Sequence, residues 1–184
     1  ALEGNYEHED GTPECIHCGL KRGQKKVLRR GKKAYRRLAE HIGLIPIVTV
    51  SPADQWLIAG GSEERRRFMD IIISQYNPVY LDALTRYNKA LQQRNALLKQ
   101  EEEPDDDLLA LLEEEMARVG TYIYGERQKY VENFTPTFQS FYSLISQEKE
   151  SVSLTDTSLG QRGDLLAVIR RDRAKDRSLR HSLH

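Results

Sequence analysis

The chain has little cysteine, little tryptophan and no long apolar run. Among 184 residues there are 2 Cys and 1 Trp. Cys15 and Cys18 cannot build a disulfide framework, so a reducing, cytoplasmic compartment is expected. Apolar stretches are short, as in Ile71-Ile72-Ile73, and none approaches the roughly 20 residues a membrane helix needs. The polar, acidic opening Ala1-Leu2-Glu3-Gly4-Asn5 does not read as a secretory leader. No G-x-x-x-x-G-K-S/T phosphate loop, G-x-S-x-G elbow or H-E-x-x-H helix occurs. Glu113-Glu114-Glu115 reads as a solvated helix face and Ser158-Leu159-Gly160-Gln161 as a turn. No catalytic residue and no metal ligand is expected. Lys plus Arg equals Asp plus Glu, 28 each, which excludes a uniformly basic coat protein and an acidic tail.

Cys15-Ile16-His17-Cys18 is a single C-x-x-C. A structural zinc needs four ligands, and a redox dithiol needs a helix N-terminus to acidify its thiol. In a strand the two sulfurs point to opposite faces, so two partly buried thiols are expected. A zinc or redox module is the weaker alternative, checked by elemental analysis.

What is present is segregated charge. Cys15 to Arg37 holds ten Lys or Arg and no acid, and Glu101 to Glu115 holds nine acids and no base. Arg162 to His184 holds seven Lys or Arg against three Asp. In the first block, Lys21, Arg22, Lys25, Lys26, Arg29, Arg30, Lys32, Lys33, Arg36 and Arg37 are expected on neighbouring strands, divided between two faces. Such a surface would neutralise phosphates and release counterions. The competing reading is an edge sheet defended by cations against strand pairing. Arg65-Arg66-Arg67 near a helix start opposes the helix dipole, so it needs a carboxylate or a phosphate. Asp70 lies within helical reach of Arg66 and Arg67, so a local pair competes with anion binding.

The fold class expected is α+β. Strands and turns fill residues 1–50, with turns at Gly23-Gln24 and Gly31-Lys32. Leu44–Val50 is β-branched and reads as a buried strand. A helix follows from Ser62, a candidate cap, to about Tyr76. Asn77-Pro78 caps the next helix. There Leu84, Leu91 and Leu98 recur every seven residues, interleaved with Leu81, Asn88 and Asn95. After Pro104 and Asp105-Asp106-Asp107 comes a second heptad helix carrying Leu109, Leu112, Met116, Val119, Ile123 and Tyr130. The two predict an antiparallel helical hairpin. Thr135-Pro136 should start a separate helix, 151–157 a strand and Gly163–Arg177 a last helix. The expected domains are 1–60, β-rich; 61–150, helical; and 151–184, a strand and helix returning toward the first.

The run Pro52-Ala53-Asp54-Gln55-Trp56-Leu57-Ile58-Ala59-Gly60-Gly61-Ser62-Glu63-Glu64-Arg65-Arg66-Arg67-Phe68-Met69-Asp70 resembles a motif of the RecF family of bacterial recombination and gap-repair ATPases. The matching positions are Pro52, Asp54, Gly60, Gly61, Arg65, Arg66, Phe68 and Asp70. Tyr80, Leu84, Tyr87-Asn88, Leu91 and Gln93 to Lys99 continue it. The resemblance implies an ATP-binding-cassette head of the SMC type with a short coiled-coil-like arm. It implies ATP and Mg as cofactors, ATP-driven self-dimerisation and binding to double-stranded DNA near single-strand gaps. RecO and RecR are the implied partners, with RecA loading and the SOS response as the setting. Residues 1–60 would then belong to the first lobe of the head and 62–150 to the arm. The phosphate loop would lie before Ala1, and the signature loop and Walker B acid after His184. This portion would not hydrolyse ATP by itself. By the same resemblance, DNA would meet the basic strands on the head, and Asn88 and Asn95 could set the arm's register. A helical-hairpin interaction module without DNA binding is the alternative.

Overall fold

A computed structural model describes residues 1–100, 102, 104–157 and 163–183. The middle of the acidic loop (residues 101 and 103) and the expected turn at 158–161 lie outside them. Two units form, Ala1–Val48 and Thr49–His184.

In the first unit, short alternating segments punctuated by glycines make an antiparallel meander. The strands are β1 (Leu2–Glu7), β2 (Pro13–Gly19), β3 (Val27–Arg30) and β4 (Lys33–Ala34), in the order β1-β2-β3-β4. Both expected turns form. Gly23 and Gly31 take positive φ, 75° and 54°, a conformation glycine adopts without penalty. Lys21 and Gln24 close one turn at 3.0 Å. Gly31-Lys32 is the two-residue link between β3 and β4, paired through Arg30 and Lys33. One sheet face buries Ile16 and Leu28. Cys15 pairs with Asn5 and Cys18 with Leu2, so the cysteines lie on opposite faces.

Leu44–Val50 is not a strand. Val48 is 92% exposed, and no ladder reaches this segment among the described residues. β-Branched residues favour extended backbone, but a strand also needs a neighbour to receive its amides. Pro46 removes one of those amides.

The second unit is helical: α1 (Trp56–Ala59), α2 (Ser62–Tyr76), α3 (Pro78–Leu98), α4 (Asp106–Ser146) and α5 (Leu165–Leu179). The caps act as the residues suggest at two of three sites. Asn77 Oδ1 accepts from the Tyr80 amide at 3.0 Å, with Pro78 at the first helical position. Asp105 accepts from the amides of Asp107 and Leu108 at 2.9 and 3.2 Å. Ser62 is inside α2, and Gly61 stands at the cap without a side chain to offer.

α3 and α4 form the hairpin, but through Ala83 and Ala90 its seam runs one residue away from the leucine track, which it meets at Leu98. The buried positions of α3 are Tyr80, Ala83, Ala90, Arg94 and Leu98, while Leu84 and Leu91 are half-buried. Ala83 and Ala90 let the backbones approach, so Leu84 and Leu91 border the contact, while Leu98 at the end of the track is buried. Ala90 packs with Leu112, Met116 and Ala117 of α4 and with Leu165 and Ile169 of α5. Ala83 and Tyr80 pack with Val119 and Ile123 of α4 and Ile73 of α2. Asn88 is exposed, and Asn95 accepts the Ser182 amide at 2.7 Å. Asn95 therefore ties down the chain after α5 and not α4.

Thr135-Pro136 does not divide α4, which runs through Pro136. Proline withholds one backbone donor, and the Thr135 hydroxyl donates to the Val131 carbonyl at 2.6 Å. Tyr130, Phe134, Phe138 and Tyr142, four apart, form a ladder across the proline with ring centroids 5.5 to 6.0 Å apart. Residues 151–157 half-bury every second side chain, as their alternation implies, yet form no ladder among the described residues. Gln139 Nε2 donates to the Val152 carbonyl at 3.3 Å. The terminal helix, expected at Gly163–Arg177, is present as α5.

Candidate nucleic-acid interface

All of the expected cations of the first unit are exposed: Lys21, Arg22, Lys25, Lys26, Arg29, Arg30, Lys32, Lys33, Arg36 and Arg37. Their placement differs from the expected sheet face. Only Arg29 and Arg30 on β3 and Lys33 on β4 lie in strands. Register puts Arg30 beside Lys33 on one face and Arg29 beside His17 on the other. Lys21, Arg22, Lys25 and Lys26 occupy the β2–β3 loop, and Lys32 the β3–β4 turn. The physical reason is strand length: β3 has four residues, so most of the block falls in its connections. Loop and turn stand at opposite ends of β3, about 13 Å apart at ~3.3 Å per residue.

Arg30 differs from the rest. Its Nε donates to Glu14 Oε2 at 2.8 Å and its Nη2 lies 2.6 Å from the same oxygen. The Arg30 hydrogen bond holds the Glu14 carboxyl below its usual range. Among the described residues, no ion pair engages Lys21, Arg22, Lys25, Lys26, Arg29, Lys32, Lys33 or Arg36.

The arginines of the family motif have local work in the second unit. Arg65 Nη1 donates to the carbonyls of Leu57 and Gly60 at 3.2 and 3.0 Å, which joins α1 to α2. Arg66 Nη1 donates to Ser62 Oγ at 2.9 Å. Arg67 is exposed and Phe68 half-buried. Pro52 and Asp54 lie in the turn before α1, where Asp54 accepts the Ser51 amide. A Cβ on Gly60 would stand 2.4 Å from the Trp56 carbonyl oxygen, so the backbone there requires glycine. Gly61 caps α2.

The expected Asp70 pair with Arg66 or Arg67 does not form. Asp70 accepts from Arg127 of α4, Nε to Oδ1 and Nη2 to Oδ2, both 2.9 Å. The Tyr80 hydroxyl also donates to Asp70, and burial pushes that phenol well up. A second buried network joins α3, α4 and α5. Arg94 of α3 donates from Nη1 to Asp176 of α5 at 2.7 Å and from Nη2 to Glu113 of α4 at 3.0 Å. All three are 0% exposed, and Arg173 also grips Glu113. Tyr80, Tyr87 and Arg94 are spaced by seven, so a heptad track through them carried the signal. The leucine track beside it carries the stronger hydrophobic signal.

Among the described residues, no group of three or more His, Cys, Asp or Glu could hold a metal ion, and no helix is long and apolar enough to cross a membrane. No family model matches the chain. It is 54% identical to the DNA replication and repair protein RecF of Bacteroides fragilis over 182 residues, 99% of this chain and 49% of that protein. It is 56% identical to the protein of the same name from Phocaeicola vulgatus, with the same coverage. Solved structures of the recombination mediator protein RecF in the RecFOR pathway, RecF-ATPrS and RecF-ATP, match with TM-scores of 0.86 and 0.85. Each is 26% identical to this chain and covers 98% of it, and the chain covers 52% and 51% of them. On sequence and on fold together, the chain belongs to the RecF family, and it spans about half the length of the curated relatives it matches.

Proposed function

We propose that this chain supplies a DNA-contacting lobe and a rigid helical arm to a RecF-type recombinational repair protein. The observation that carries the reading is the set of exposed cations on the β2–β3 loop, β3 and the β3–β4 turn. Eight of them have no ion-pair partner among the described residues. Lys21, Arg22, Lys25, Lys26, Arg29, Lys32, Lys33 and Arg36 would meet phosphates of duplex DNA near a single-strand gap. Contacts of this kind give affinity without sequence preference. Residues 1–60 act in this reading as part of the ATPase head, 61–150 as the arm and 151–184 as the return toward the head. In the whole RecF-type protein, ATP with Mg drives self-dimerisation, and RecO and RecR cooperate in loading RecA. ATP chemistry belongs to parts of the family that this chain does not span. The cytoplasm is the setting.

The test is a titration of gapped duplex DNA at two salt concentrations. Binding should weaken linearly in log affinity against log salt, by about 0.9 for each phosphate neutralised. Absence of binding at low salt would leave the helical hairpin as a protein-interaction module.

A further inference from the structure

Resting on the phosphate-binding reading, the geometry points to Glu14 as a charge mask that withholds Arg30 from DNA and so sets how many phosphates the surface engages. Glu14 is 8% exposed on β2. One of its oxygens, Oε2, takes both Arg30 contacts, at 2.8 and 2.6 Å, and also faces His8 Nε2 at 3.5 Å. The Arg30 side chain is 51% exposed, so its guanidinium is open to solvent on one flank while its charge is cancelled on the other. It stands between Arg29 and the Gly31-Lys32 turn, whose neighbours lack such a partner. The turn is held independently, because the Gly31 amide donates to the Cys15 carbonyl at 2.7 Å. Removing the carboxylate charge therefore changes the local charge by one without freeing the turn. Glutamine keeps a carbonyl oxygen that can still accept from Arg30.

The experiment uses the 184-residue chain and a gapped duplex, with log affinity followed against log salt. Glu14→Gln should steepen the slope by about 0.9, one further phosphate, and strengthen binding about 3-fold at 50 mM relative to 200 mM salt. The double variant Glu14→Gln with Arg30→Met removes both charges and should return wild-type affinity and slope. Lys25→Met should flatten the slope by a comparable single step. An unchanged slope in Glu14→Gln would overturn the inference while leaving the DNA reading intact. So would a double variant that loses affinity as Lys25→Met does, and this arm decides if the single variant fails to fold. Wild-type chain that ignores DNA at low salt would remove the DNA reading, and the mask with it.

Discussion

At the scale of single residues, buried charge decides more than the exposed arginine run does. Arg94, Arg173, Glu113 and Asp176 carry two positive and two negative charges in the joint of α3, α4 and α5. Deleting one member leaves a desolvated charge without its counterion, a loss of about 3–5 kcal/mol. Arg94→Met is therefore expected to lower stability by about that amount in urea unfolding, and an unchanged midpoint would contradict the network's role. Asp70→Ala should cost on the order of 3 kcal/mol. Its partner is Arg127, so Arg66→Ala and Arg67→Ala should leave stability nearly untouched. Asp70 was legible as a paired carboxylate. Its partner was not, because 57 residues separate the two and helical spacing reports only neighbours within a turn. Glu14 gives the pH dependence. Its folded pKa lies below the ordinary value of 4.5, so its contribution is complete above 4.5 and is lost as pH falls through the lower folded value. Thermal melts between pH 7 and pH 3 should show less acid loss for Glu14→Gln than for wild type.

At the scale of elements, close approach explains the hairpin better than leucine content does. A Cβ on Gly120 of α4 would lie 2.7 Å from Leu165 Cδ2 and 3.1 Å from Tyr87 Cε2. α3 and α5 thus both press on that position. Gly120→Ala gains helix propensity but overfills the joint, and a net loss of about 1 kcal/mol is expected. A gain in stability would show that Leu165 has room to turn. The hairpin itself was readable, since caps at Asn77 and Asp105 and apolar positions every three or four residues are local facts. The seam was not, because small residues carry no hydrophobic signal and become informative only when a facing helix is known. The same limit explains 44–50 and 151–157. The β-branched run of 44–50 and the alternation of 151–157 are real, but a strand is a property of two segments.

At the scale of the whole molecule, zero net charge conceals a strongly cationic surface on the first unit. Lys25→Glu with Arg29→Glu reverses two charges among the eight unpaired ones and should weaken duplex binding at least 10-fold at low salt, on the order of 1.4 kcal/mol. The loss should be equal for different duplex sequences, as measured by fluorescence anisotropy. Equal binding by variant and wild type would mean that Lys25 and Arg29 do not touch DNA.

By itself, the order of amino acids determined the class of fold, the caps at Asn77 and Asp105, the turns at Gly23 and Gly31, the helical hairpin, the charge blocks and the family. Each of these is written in spacings of a few residues or in a contiguous motif. Only the tertiary structure decided which face of α3 is buried, that Asp70 answers Arg127, that Arg94 bridges two acids, and that Glu14 engages Arg30. Those pairings join residues 16 to 82 positions apart. They depend on how elements pack, because a charge finds its lowest free energy beside whichever counterion the folded chain brings within reach.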